Sequence, residues 1–258
     1  MPRLTGAIKH LILINVILFV APQLLQMDLT NLFALHFPQN ENFGFWQYVT
    51  HMFMHGSFPH ILFNMYALWA FGTPLQQMWG EKKFLFFYFS AGIGAGLIYT
   101  LVNYYQFNSI YEQLLSSKIT ESEISLILDI SAQTTQDFIN QCNTILSKNT
   151  NLVPYQGLGD NLIEISNLFS TPAVGASGAI YGVLVAFGLA FPNAKLALIF
   201  LPIPIAAKYF IPLMIFGDLF FGVTKYSIGN IAHFAHIGGA IIGFIIAWYW
   251  RKNQFRRF

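Results

Sequence analysis

Apolar positions fall into six long blocks separated by polar stretches: Ile8–Leu25, Pro59–Trp79, Phe84–Tyr104, Ser177–Phe191, Tyr209–Val223 and Ala232–Trp250. A helix crossing a bilayer needs about 20 mostly apolar residues, so each block predicts a transmembrane helix. The fourth and fifth are short for a full crossing and belong among other helices or where the bilayer thins. Between the third and fourth blocks, from Tyr105 to Ser170, the pattern turns to Ser, Thr, Asn, Gln and acidic residues. Inside this insertion "SIYE" (Ser109–Glu112) and "TESE" (Thr120–Glu123) have the spacing of a capping box. "ISLILDI" and "FINQCNTIL" repeat apolar residues at helical spacing, which predicts two or three short helices. "NLVPYQGLGDN" reads as turn and loop. "NAKLALIFLPIPIAAK", with its prolines and a lysine near each end, reads as a cytoplasmic-side loop at the interface rather than as a further span.

Composition agrees with the pattern. Of 258 residues, 55% are hydrophobic and 9% charged, with a mean hydropathy of +0.52. A water-facing domain carries about 25% charged residues, so the chain belongs in a membrane. A formal net charge of +2 gives no footing for nucleic acid. The lone cysteine, Cys142, excludes an intrachain disulfide. The first apolar block lacks a small-x-small cleavage site and reads as a retained helix rather than a signal peptide.

Lys and Arg set the orientation. With both termini cytoplasmic, Arg3, Lys9, Lys82, Lys83, Lys195, Lys208, Arg251, Lys252, Arg256 and Arg257 lie inside, and Lys118, Lys148 and Lys225 outside. The acidic residues lean outward, with Asp28, Glu41 and the acidic residues from Glu112 to Glu164 on that side. The expected fold is therefore an all-α membrane protein, a bundle of six transmembrane helices with both ends in the cytoplasm. The whole chain, 1–258, is read as a single transmembrane domain carrying a helical extracytoplasmic insertion at 105–170.

Polar groups inside spans are costly and invite a functional reading. The second block enters from outside with His60 and Asn64, whose i, i+4 spacing stacks them on one face. The fourth enters from outside with Ser177, in "TPAVGASGAIYG". The sixth carries His236 about a turn in, after His233. A serine, two histidines and an asparagine thus share one outer layer, and the chemistry that fits is acyl transfer. A serine hydroxyl attacks poorly unless a neighbouring base takes its proton, and imidazole suits that task. His236 is the better base, because Gly238, Gly239 and Gly243 follow it while Gly178 and Gly182 follow Ser177. Small residues let two backbones approach closely. His60, Asn64 and the backbone N–H of Ser177 near a helix start are then placed to stabilise an oxyanion. Tyr181, one turn beyond Ser177, is placed to pack on the imidazole. No carboxylate is expected to orient His236, since Asp218 sits on the fifth block toward its outer end, so a dyad is inferred. The bland reading treats Ser177 as small-residue packing, and His60, Asn64 and His236 as interhelical hydrogen-bonding groups. His51 and His55 are read as structural. A zinc site from His51, His55 and His60 fits one helical face poorly and has no fourth ligand.

With these residues in place, the chain resembles the rhomboid family of intramembrane serine proteases. The resemblance rests on "HGSFPHILFN" in the second block, "GASGAIYG" opening the fourth and "AHIGGAIIG" in the sixth, preceded by "WQYVTHMFMH". It covers nearly all of the chain outside the insertion. It implies a six-helix rhomboid-like bundle, Ser177 as nucleophile, His236 as base, His60 and Asn64 in the oxyanion hole, and Tyr181 stacked on the catalytic histidine. The small residues Gly175, Gly178, Gly182, Gly239 and Gly243 are assigned to helix packing. No metal or cofactor is implied. The partners implied are transmembrane protein substrates and the lipid bilayer, and the setting expected is a bacterial cytoplasmic membrane. Two features depart from the family pattern: Trp46 is followed by Gln47 where many members have arginine, and the loop between the third and fourth helices is long. A noncatalytic rhomboid-like binder and a small transporter are the competing readings. The first is opposed by the presence of both Ser177 and His236, the second by the absence of repeated halves.

Overall fold

The structure is a computed structural model, and it describes residues 6–198, 201–224 and 232–254. Arg3, Lys225, Arg256 and Arg257, which enter the charge count above, lie outside the described residues. The chain is mostly helical and divides into two compact units. The first comprises the chain up to Leu35, Phe45–Tyr99 and everything from Ala173 onward, and the second His36–Gly44 with Thr100–Pro172.

In the first unit, α1 (Gly6–Leu24) opens the chain, and short helices α2 (Thr30–Phe33) and α3 (Gln47–Thr50) follow. A 3₁₀ turn at His51–Phe53 leads into α4 (Phe58–Ala67). Ser57 caps α4 by accepting from the His60 N–H at 3.3 Å, and Pro59 pre-sets the first turn. One π turn at Leu68–Gly72 joins α4 to α5 (Thr73–Trp79), so the second apolar block is helical throughout but locally under-wound by a bulge of the kind often found near functional sites. The N-terminal turn of α1 is secured by Gln76, whose side-chain oxygen accepts from the Ile8 N–H at 3.0 Å.

The helix α6 (Glu81–Ser116) spans 36 residues. At 1.5 Å per residue its length is about 54 Å, well beyond the hydrocarbon core of about 30 Å. The third apolar block was expected to end at Tyr104, yet the helix continues because its next polar residues are interleaved with Phe107, Ile110 and Leu114, which are buried in the second unit. For the same reason Ser109 is mid-helix and caps nothing, contrary to the spacing of "SIYE".

The second unit continues with α7 (Glu121–Leu128), α8 (Thr135–Leu146) and α9 (Leu158–Ser170). Thr120 and Glu123 form the expected reciprocal capping box on α7. Helix α9 starts inside "NLVPYQGLGDN", after Gly157 at φ +94°, so only the first part of that stretch is loop. Ile124, Ile127, Cys142, Leu146, Leu162 and Ile165 turn inward and give this unit its own core.

Back in the first unit, α10 (Ser177–Ala190) is followed by β1 (Lys195–Leu198) and β2 (Leu201–Ala206), then α11 (Ala207–Val223) and α12 (His233–Gln254). The stretch expected to be an interfacial loop is thus an antiparallel hairpin, with Lys195 opposite Ala206 and Leu198 opposite Leu201. A two-stranded ribbon has open edges, which is where a proline-containing strand is tolerated. Among the described residues, α1, α6 and α12 are long and apolar enough to cross a membrane, and α10 is a shorter apolar helix. Large apolar side chains point outward on α1 (Leu13, Ile17) and α12 (Phe244, Ile245, Trp248). In water this would be an aggregation surface, whereas in lipid it is the expected exterior. Inside, α10 is the most enclosed helix, with Ala179, Val183 and Ala186 at or near zero exposure.

Candidate active site

Ser177 is the first residue of α10, and the loop before it is tightly held. Leu35 and Ala173 exchange backbone hydrogen bonds of 2.9 and 2.8 Å, and the Gly175 N–H donates to the His51 carbonyl at 2.9 Å. Gly175 has φ +121°, a conformation that strongly favours glycine. It therefore belongs to the turn before the helix and not to helix–helix packing. A Cβ there would lie 2.7 Å from His60 Nε2 and 3.7 Å from Asn64 Nδ2, so the two side chains of α4 end against the turn that delivers Ser177.

The other four glycines do bring helices together. A Cβ on Gly239 would fall 1.8 Å from the Gly178 carbonyl oxygen, and one on Gly243 would fall 2.4 Å from Gly182 Cα. On α10, Gly178 and Gly182 also face Ala95 and Ala91 of α6, at 2.5 and 2.7 Å from the same construction. With α10 and α12 in such contact, Ser177 Oγ lies 2.8 Å from His236 Nε2. The Tyr181 ring stacks on the His236 imidazole with centroids 4.3 Å apart and planes 10° from parallel. An imidazole clamped face-on in this way keeps its Nε2 aimed along one direction.

On one point the structure overturns the sequence reading. Asp218 of α11 is buried, and its Oδ1 lies 3.2 Å from His236 Nδ1. The same oxygen is 2.7 Å from His233 Nδ1, and the Tyr181 hydroxyl donates to Oδ2. A carboxylate is therefore placed to orient His236 after all. Sequence fixes the depth of Asp218 along its helix but not the direction in which it faces. The one available signal was a carboxylate in an otherwise apolar segment, which is expensive unless hydrogen bonded. His233, noted only as preceding His236, joins the cluster because i, i+3 residues share a helix face. The ligand atoms of Asp218, His233 and His236 lie within 4.8 Å of one another, so among the described residues these three could surround a metal ion. Each is already engaged in the hydrogen bonds just given, which form a continuous chain from Tyr181 and His233 through Asp218 and His236 to Ser177.

His51 and His55, weighed above with His60 as zinc ligands, each make a hydrogen bond within the protein. His51 Nδ1 is 2.7 Å from the Gln47 carbonyl and donates to it, and burial lowers its pKa to about 4. His55, in the loop before α4, is held down to about 4 by burial and by neighbouring His60. Being neutral, it accepts from Asn64 Nδ2 through Nε2 at 2.9 Å. An amide has two N–H groups, so this bond fixes Asn64 while leaving it a second donor. Gln47, where many family members carry arginine, is fully buried and donates to the Asn31 carbonyl at 3.2 Å. With Trp46 Nε1 on Leu32 O (2.7 Å) and Thr50 Oγ1 on Phe33 O (2.8 Å), it pins α3 to α2.

Comparison with known proteins identifies the family. A family model, the Rhomboid domain, matches residues 42–110 and 147–253, well over half of the chain. The chain belongs to the rhomboid family. The two matched segments are separated by residues 111–146. The chain is 25% identical over 200 residues to Rhomboid protein 1, mitochondrial, of Saccharomyces cerevisiae, an alignment covering 78% of this chain and 40% of that protein. It is 40% identical over 48 residues to Rhomboid protease GluP of Bacillus subtilis, covering 19% of this chain and 10% of that protein. The chain thus spans less than half the length of these curated relatives. Rhomboid membership and the apolar helices make it an integral membrane protein.

Proposed function

We propose that the protein is an intramembrane serine endopeptidase that cuts transmembrane or membrane-proximal segments of other membrane proteins. The observation that carries the reading is the 2.8 Å approach of Ser177 Oγ to His236 Nε2 across α10 and α12. The name of the relative in Bacillus subtilis, a rhomboid protease, supports it. In this reading six helices cross the membrane with both termini cytoplasmic, residues 105–170 form an insertion on the outer side, and the membrane is a bacterial cytoplasmic one.

The reaction begins with Ser177 Oγ attacking the scissile carbonyl carbon while His236 Nε2 takes the hydroxyl proton. Negative charge on the carbonyl oxygen is met by the free N–H of Asn64, by His60 and by the Ser177 backbone N–H at the start of α10. Collapse breaks the C–N bond, His236 returns the proton to the leaving amine, and a water deprotonated by His236 hydrolyses the acyl-enzyme. A substrate helix keeps its carbonyls in backbone hydrogen bonds, so cleavage favours places where small or helix-breaking residues let it unwind.

The test is cleavage of a transmembrane reporter by the protein reconstituted in lipid vesicles, wild type against Ser177→Ala. Loss of cleavage is expected, and undiminished cleavage by the variant would end the proposal.

A further inference from the structure

We propose that Asp218 is a positioning residue that makes the Ser177–His236 pair a buried triad, braced by Tyr181 and His233. The inference rests on the proteolytic reading above and extends it. Beyond Lys208 and Tyr209 in its first turn, helix α11 is otherwise apolar, and Phe216, Leu219 and Phe220 around Asp218 are exposed, whereas Asp218 is turned inward. A carboxylate is kept in such a place only when its oxygens are satisfied by donors. Three donors meet it, the Tyr181 hydroxyl on Oδ2 and the Nδ1 atoms of His233 and His236 on Oδ1.

Two of those donors would suffice to bury the carboxylate as structural glue between α10, α11 and α12. The third is the base itself, and that changes the chemistry. With Nδ1–H directed at Asp218, His236 is held in the tautomer whose Nε2 lone pair faces Ser177. When His236 takes the serine proton, the imidazolium forms beside a fixed anion, with side-chain exposures of only 13% and 10% for the two residues. The proton stays on His236, and Asp218 remains ionised throughout. Tyr181 acts twice, stacking on the imidazole face and tying the carboxylate that holds the imidazole edge.

The experiment compares Asp218→Asn with wild type by reporter cleavage in vesicles, with kcat expressed per active site titrated by a serine-directed fluorophosphonate. A substituted amide keeps the size of the carboxylate but cannot stay an acceptor for all three donors. The expected result is a fall in kcat per site on the order of 10²-fold or more with KM little changed. In a His236→Ala background the same substitution should cost nothing further, since groups acting as a unit are not additive. Tyr181→Phe, which removes one donor and keeps the ring, is the second variant and should lower kcat about three- to tenfold. A wild-type kcat per titrated site in both Asp218→Asn and Tyr181→Phe overturns the proposal, as does a loss confined to the number of titratable sites. Undiminished cleavage by Ser177→Ala would instead bring down the proteolytic reading on which it stands.

Discussion

Gly239 and Gly178 are in backbone contact across α12 and α10, so close that a Cβ on Gly239 would sit 1.8 Å from the Gly178 carbonyl oxygen. The obstacle is backbone rather than the end of a flexible side chain, so nothing nearby can rotate away. This contact involves the residue next to Ser177 and one about a turn beyond His236, and it sets the separation of the pair.

Gly239→Ala is therefore expected to push α10 and α12 apart and to disable the site before it unfolds the protein. Overpacking of this kind costs about 1–3 kcal/mol, and a shift of 1 Å at reacting groups can cost about 10²-fold in rate. Thermal unfolding in detergent and cleavage in vesicles measure the two effects. Gly159→Ala in α9 is the control, because its Cβ would meet nothing within 4 Å. Equal stability and activity in the two variants would show that the helix contact is not limiting.

The residues of the reacting pair were legible because each is marked by its neighbours. Ser177 and His236 are flanked by glycines at helical spacing, and His60 and Asn64 follow a Ser-x-Pro helix start. Depth along a helix can be counted from the end of an apolar block, which is why one outer layer could be recognised. The angle around the helix cannot be counted for a segment as nearly all apolar as α11, so the sequence assigns Asp218 a depth but no partner. Gly175 serves the turn rather than packing, a distinction hidden in sequence because a small residue beside a helix looks the same in either role. The overrun of α6 into the insertion was hidden by a change of composition that does not break a helix, since its core contacts at Phe107, Ile110 and Leu114 follow the helical period.

Tyr181→Ala should be more damaging than Tyr181→Phe. The phenylalanine keeps the ring that stacks at 4.3 Å on His236, while alanine removes stack and hydroxyl together and leaves a void beside the imidazole. We expect a further loss of about tenfold in kcat beyond the Phe variant, with about 2–4 kcal/mol of destabilisation from the truncated aromatic. Steady-state cleavage and thermal unfolding of the two variants check the ordering, and equal kcat values would argue that the hydroxyl alone matters.

Cys142 reports on the second unit independently of the site. The residue is 2% exposed among the apolar residues of α7, α8 and α9, and burial pushes its pKa up to about 11. A raised pKa leaves little thiolate at pH 8, and thiolate is the reactive form. Maleimide labelling of the native protein should be slower than in denaturant by about 10²-fold or more. Comparable rates in the two conditions would mean that the insertion core opens readily on its own.

The loop histidines predict the pH dependence of stability. His51 and His55 both have their pKa lowered to about 4 from the ordinary 6.5. Below pH 6.5 the unfolded chain accepts protons that the folded chain refuses, so stability falls as pH drops from about 6.5 toward 4 and is flat above that window. Protonation of His55 would also take away the lone pair that holds Asn64 and place a positive charge beside His60. Neutral mimics test this cleanly: in His51→Asn the amide nitrogen takes the place of the Nδ1 that donates to the Gln47 carbonyl, and in His55→Gln the amide oxygen takes the place of the acceptor for Asn64. The double variant should lose most of the slope in thermal stability between pH 6.5 and 4 while matching wild type near pH 7.5. A wild-type slope in the double variant would assign the acid sensitivity to other groups.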